Sequence, residues 1–122
     1  FVVEALLEHV RTQLGALDLL EQHGYDFPDR TVTVLATEDR AALGDRIAAG
    51  LDGVRVVRAE LEHAYYHGLR FQISTRSTTG DAFPLIDGGA FDWLAQLTSN
   101  RRLVLVASGM GAQLAAYLFR RR

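Results

Sequence analysis

There is no cysteine in this chain. Disulfides, thiolate catalysis and cysteine-ligated zinc are therefore excluded. Proline is almost as scarce, with only Pro28 and Pro84, and neither an internal repeat nor a low-complexity linker divides the chain. Charge of one sign is lacking too. The 13 Lys+Arg stand against 15 Asp+Glu, a net of -2. That balance exerts no general pull toward nucleic acid or an anionic membrane, and neither is expected as a partner. No apolar run approaches the roughly 18 residues that a spanning helix needs. No charged-then-apolar leader opens the sequence. A cytoplasmic setting is the expectation.

What is there reads as one globular unit. Hydrophobic residues make up 48% and charged residues 23% of 122 residues, enough for a real core and too apolar for disorder. The chain begins at Phe1, inside what reads as a helix, so a piece of a longer protein is expected. Residues 1–122 are taken as a single domain, within which 1–53 could form a small helical and βα lobe.

Val3, Leu6, Leu7, Val10, Leu14, Leu17 and Leu20 recur at spacings of three and four. This predicts an amphipathic helix over Val2–Glu21, with Gly24 as its cap. Thr31–Ala36 is β-branched and short, a strand. Thr37 is placed to cap a helix from Asp39 to Ala49, with Glu38 and Asp39 in its first turn. Leu43, Ile47 and Leu51 face the core, and Gly50 and Gly53 end the segment. Val54–Val57 starts a second strand. From Glu60 the pattern alternates, placing Leu61, His63, Tyr65, His67, Leu69, Phe71 and Ile73 on one face of a long strand. Gly80 centres a hairpin turn, and Ala82–Ile86 returns as a short strand that Pro84 assigns to an edge or a strand end. Asp87-Gly88-Gly89 reads as a tight turn. A helix over Phe91–Leu97, a strand over Leu103–Ala107, a Ser108-Gly109-Met110-Gly111 turn and a last helix from Ala112 to Arg120 follow. The terminal arginines read as a frayed end.

The chain is organised around the stretch from His63 to Asp92. It holds Leu61-Glu62-His63-Ala64-Tyr65-Tyr66-His67-Gly68, then Leu69-Arg70-Phe71-Gln72, then Gly88-Gly89-Ala90-Phe91-Asp92. This order resembles the class II aminoacyl-tRNA synthetase core in its histidyl branch. There an Arg-Gly-Leu-Asp-Tyr-Tyr-Thr-Gly strand is followed by Gly-Gly-Arg-Tyr-Asp, and then by a strand, a glycine-rich turn and a helix. Leu103–Phe119 stands in that last position. The resemblance covers about half the chain. It implies an α/β fold of the α+β type, a mainly antiparallel sheet with flanking helices.

The departures lie at charged positions. The branch's catalytic arginine falls on Leu61, its aspartate on Ala64, the Gly-Gly-Arg arginine on Ala90, and the arginine that stacks on ATP near Ala112 or Gln113. Adenylyl transfer depends on positioned positive charge, so the loss argues against amino-acid activation. The same branch includes the regulatory subunit of ATP phosphoribosyltransferase, which binds histidine without charging tRNA. A non-catalytic paralogue of that kind, acting in histidine biosynthesis and paired with itself or with a catalytic subunit, is what the resemblance implies. An active class II ligase, which would need ATP and magnesium, is the first alternative. An interaction domain without a ligand is the second.

The expected site is a pocket bounded by Tyr65 or Tyr66, Gly68, Gly88 and Gly89. The glycines would leave space, and a tyrosine would supply a wall and one hydroxyl. Asp87 and Asp92 would favour an amino or imidazolium group, pointing to an amino acid, histidine first. The two tyrosines alternate in direction, so ordinary strand packing is the competing reading. His63 and His67 share a face, but a metal site would need further ligands, and neither a metal nor any other cofactor is expected. Gly88-Gly89 and Gly109-x-Gly111 lack the lysine of a P-loop. Ser108 has no nucleophile-elbow context.

Overall fold

A computed structural model describes residues 2–61, 68–91, 105–111, 115 and 118–120. Among these, two helices and five strands follow one another as α1 (Val2–Glu21), β1 (Thr31–Ala36), a single 3₁₀ turn (Glu38–Arg40), α2 (Ala41–Ala49), β2 (Arg55–Glu60), β3 (Leu69–Arg76), β4 (Ala82–Phe91) and β5 (Leu105–Met110). The strands form one open sheet in the order β2-β1-β3-β4-β5. Only β1 and β2 run parallel; the other three pairs are antiparallel. The expected α+β class with a mainly antiparallel sheet is what the structure has. No helix of the described residues is long and apolar enough to cross a membrane.

Periodicity explains the elements that came out as expected. The spacing of three and four in α1 buries Val3, Leu6, Leu7, Val10 and Leu17 along one stripe. Gly24 follows at φ 95°, and the Tyr25 amide reaches back to the Leu20 carbonyl at 3.3 Å, closing the helix end. In β1 the alternation of β-branched residues buries Val32, Val34 and Ala36. Their partners across the ladder are Ile73, Phe71 and Leu69, so one face of the sheet is apolar. Both helices cover that face. Gly44 of α2 sits over Ala36 and Arg58, and His9 and Gln13 of α1 reach Ser108 on β5. On the other face stand Leu35, Arg70, Gln72, Asp87 and Gly109, none of them fully buried.

Three expectations are corrected. The long strand from Glu60 to Ile73 is two strands, β2 and β3, which flank β1 on opposite sides and run in opposite directions. β2 ends and β3 begins at the C-terminal end of β1, where the Leu61 amide donates to the Ala36 carbonyl at 2.9 Å, and the Thr37 amide to the Gly68 carbonyl at 3.0 Å. Gly68, at φ 78°, makes the turn into β3. Second, Asp87-Gly88-Gly89 is not a turn. It lies within β4, which pairs through it with β3 on one side and β5 on the other and takes in Phe91, the expected helix start. Third, Ser108, Gly109 and Met110 continue β5 rather than leaving it. Pro84 sits at the β3–β4 irregularity, beyond the last β5 pair at Ile86, where its missing N–H costs no ladder bond.

Only isolated residues of the last helix are described. The Phe119 amide bonds the Ala115 carbonyl at 3.1 Å, a helical spacing. Arg120 is not frayed: it bridges antiparallel to Tyr25. The expected helix over residues 92–97, like Tyr65, Tyr66, His63 and His67, lies outside the described residues.

Candidate functional site

The row Ala36, Leu69, Ala90 marks one end of the sheet, where β1 ends, β3 begins and β4 approaches its last residue. The structure brings Gly68, Gly88 and Gly89 to this end. It does not give them one direction. Gly88 faces the helices, where an added Cβ would meet the Phe71 ring at 2.6 Å and Ser108 Cβ at 2.7 Å. The space over Gly88 is already occupied. Gly89 is directly opposite Arg70 on the other face. Gly68 is closed as well: its Cβ would stand 2.6 Å from both Arg40 Cγ and Thr37 Oγ1.

Because Gly89 has no side chain, the Arg70 guanidinium can lie diagonally across β4 to Asp87. Its Nε donates to Asp87 Oδ1 at 2.9 Å and its Nη2 to Oδ2, a bidentate fork. Next along β5, Gly109 opposes Asp87 and leaves open space above it. Asp87, expected to attract an amine, is thus already paired with a cation, though its side chain is 44% exposed.

A cleft opens on the helix side of the same sheet end. About 540 Å³ in volume, it is lined by Ala36, Thr37 and Glu38 from the end of β1, by Ala41 from α2, and by Arg58, Ala59 and Glu60 from β2. It opens at the carboxyl ends of the two parallel strands, β1 and β2. Carboxyl ends of parallel strands are where open α/β sheets leave a crevice. The three alanines give it room. Its charges are of both signs. Arg58 is held by Asp45 Oδ1 at 2.9 Å from Nε, and by the carbonyls of Val34 and Ala59 at 3.0 and 2.8 Å from Nη1. Its Nη2 has no partner among the described residues. The carboxylates of Glu38 and Glu60 are exposed and have no partner among the described residues either. Thr37 turns its hydroxyl to Asp39 at 2.6 Å.

A second cleft of about 550 Å³ opens at the opposite end, lined by residues that include Phe27, Arg30, Asp52 and Arg55. Of its two arginines, Arg30 is committed, bonding Phe27 O, Asp18 and Glu21 at 3.1, 2.6 and 2.8 Å. No group of residues able to hold a metal ion exists among the described residues.

Sequence reading did not single out Arg58 or Glu60. The available signal was their place in Arg55-Val56-Val57-Arg58-Ala59-Glu60, two charges two residues apart on the face that also carries Val56. The sequence assigns Thr37 to the cap of a helix and Glu38 to its first turn. Compared with known proteins, the chain matches no family model, no curated protein and no solved structure.

Proposed function

We propose that this chain is a small-molecule-binding domain of the histidyl-tRNA synthetase-like kind, which holds an amino acid at this sheet end without activating it. The reading makes it a regulatory paralogue, of the sort that serves ATP phosphoribosyltransferase in histidine biosynthesis. The observation that carries it is the cleft beside Gly68, which offers charges of both signs to a ligand that has both. The α-ammonium goes to Glu38 or Glu60, and the carboxylate to the remaining edge of Arg58. Tyr65 and Tyr66, between Leu61 and Gly68 in the sequence, supply the aromatic wall in this reading. The same charges disfavour a nucleotide triphosphate. One arginine, already neutralised by Asp45, faces two carboxylates with no partner among the described residues, the reverse of what phosphoryl or adenylyl transfer requires.

Calorimetric titration with histidine, other amino acids and ATP tests this. An amino acid is expected to bind saturably and ATP not at all. Glu60→Gln is expected to weaken binding about tenfold or more, the loss of one charged hydrogen bond. Binding of ATP, with pyrophosphate exchange above background, would replace this reading by the active ligase. Absence of any amino-acid heat would leave the interaction domain.

A further inference from the structure

β2 is one edge of the sheet, β5 being the other. It pairs only with β1, and its outer row of N–H and C=O groups has no partner among the described residues. It contains no proline, and Val57 at its centre is 37% exposed, one of two large hydrophobics left in solvent among the described residues. Edge strands are ordinarily guarded by outward charge. Here the central charge does not guard. Arg58 turns toward α2, fixed by Asp45 and two carbonyls.

An edge strand of this kind accepts a strand of the same sequence only under strict geometry. Two copies meeting antiparallel are related by a two-fold axis normal to the sheet, so like faces continue and each residue opposes one of its own parity. Three central registers are then available. One centred on Arg58 sets that guanidinium against its own copy. One centred on Val56 sets Glu60 against Asp52, both acidic. The register centred on Val57 places valine on valine, Arg55 on Ala59 and Val56 on Arg58, with no like charges opposed. We infer that β2 joins a second copy of this chain in that register, making one continuous ten-stranded sheet from two of five, with the helices of both copies on one face. The inference is independent of any ligand.

The absence of cysteine makes the test clean. Val57→Cys introduces the only thiol, and in this register it lies opposite its own copy at a Cα separation of roughly 4.5–5.5 Å, within disulfide reach. Mild oxidation is expected to give a covalent dimer on a non-reducing gel. Arg55→Cys, about 13 Å from its counterpart, is expected to stay monomeric under the same conditions. By sedimentation, the unmodified chain is expected to dimerise. Val57→Lys, which opposes two ammonium groups at a solvent-exposed site, is expected to sediment as a folded monomer. A monomeric unmodified chain, equal cross-linking at 55 and 57, or a persistent Val57→Lys dimer would each overturn the inference.

Discussion

Gly88→Ala is expected to lower the stability of this domain by about 2–3 kcal/mol, the upper end for overpacking a filled core. The methyl group would enter between two strands at once, 2.6–2.7 Å from the Phe71 ring and 2.7 Å from Ser108 Cβ. Neither neighbour is free to withdraw. Phe71 is 1% exposed, and Ser108 is tied to His9 Nδ1 at 2.7 Å and to Gln13 Nε2 at 3.1 Å. Total stabilities of domains are about 5–15 kcal/mol, so the loss is a large share. Urea denaturation would show a lower midpoint at unchanged slope. The cause is checked by a double-mutant cycle. Phe71→Leu shortens the ring that the methyl strikes, so the double variant should be better by about 1 kcal/mol or more than the two single losses summed. Strict additivity would mean that the clash is not with Phe71.

Phe119→Ala is expected to cost more, about 3–5 kcal/mol. Phe119 is 0% exposed three residues from the chain's end, its ring 5.5 Å from that of Phe27, which stacks in turn on Tyr25 at 6.1 Å. Its carbonyl also accepts from the Asp26 amide at 2.8 Å, and the neighbouring Leu118 carbonyl from Thr78 at 2.9 Å. The side chain therefore closes the loop after α1, the β3–β4 turn and the end of the chain against one another. Leu19→Ala serves as the contrast. Leu19 is 57% exposed on the outer side of α1, and its truncation should move the midpoint by an amount within about 0.5 kcal/mol. Comparable losses from the two variants would show that the end of the chain does not belong to the core.

How much of this was legible in the sequence varied with what each pattern had to encode. α1 and β1 were readable to the residue, because a buried stripe and a half-buried strand each leave a period. The β2–β3 reversal was not, because alternation runs through it unbroken from Glu60 to Ile73. Its cause is non-local: the end of β1 captures Leu61 and Gly68 from either side. The glycines misled for a related reason. A Gly-Gly pair after an aspartate is a turn in isolation, and only the large ring of Phe71 across the ladder explains why β4 continues through it. The same misreading touched the candidate site. Missing side chains at Gly68 and Gly88 suggested open space, whereas Thr37, Arg40 and Phe71 fill it. The cleft at this sheet end is made instead by alanines on three elements, which no local pattern announces.

The place of β1 between β2 and β3 also governs how the molecule comes together. Residues 31–60 close upon themselves as strand, helix and strand, and residues 69–110 as three successive antiparallel strands. The two groups of strands are joined by a ladder of six residue pairs, from Thr31 with Ser74 to Ala36 with Leu69. That ladder joins segments far apart in sequence, so its loop-closure entropy falls due after the local contacts have formed. It is the step at which the core is sealed, since Val32, Val34, Phe71 and Ile73 are buried by it together. A cut between residues 61 and 68 would leave each side its own strand pairs and half of that ladder, and rejoining would also have to seat α1 on β5 and Phe27 on Phe119.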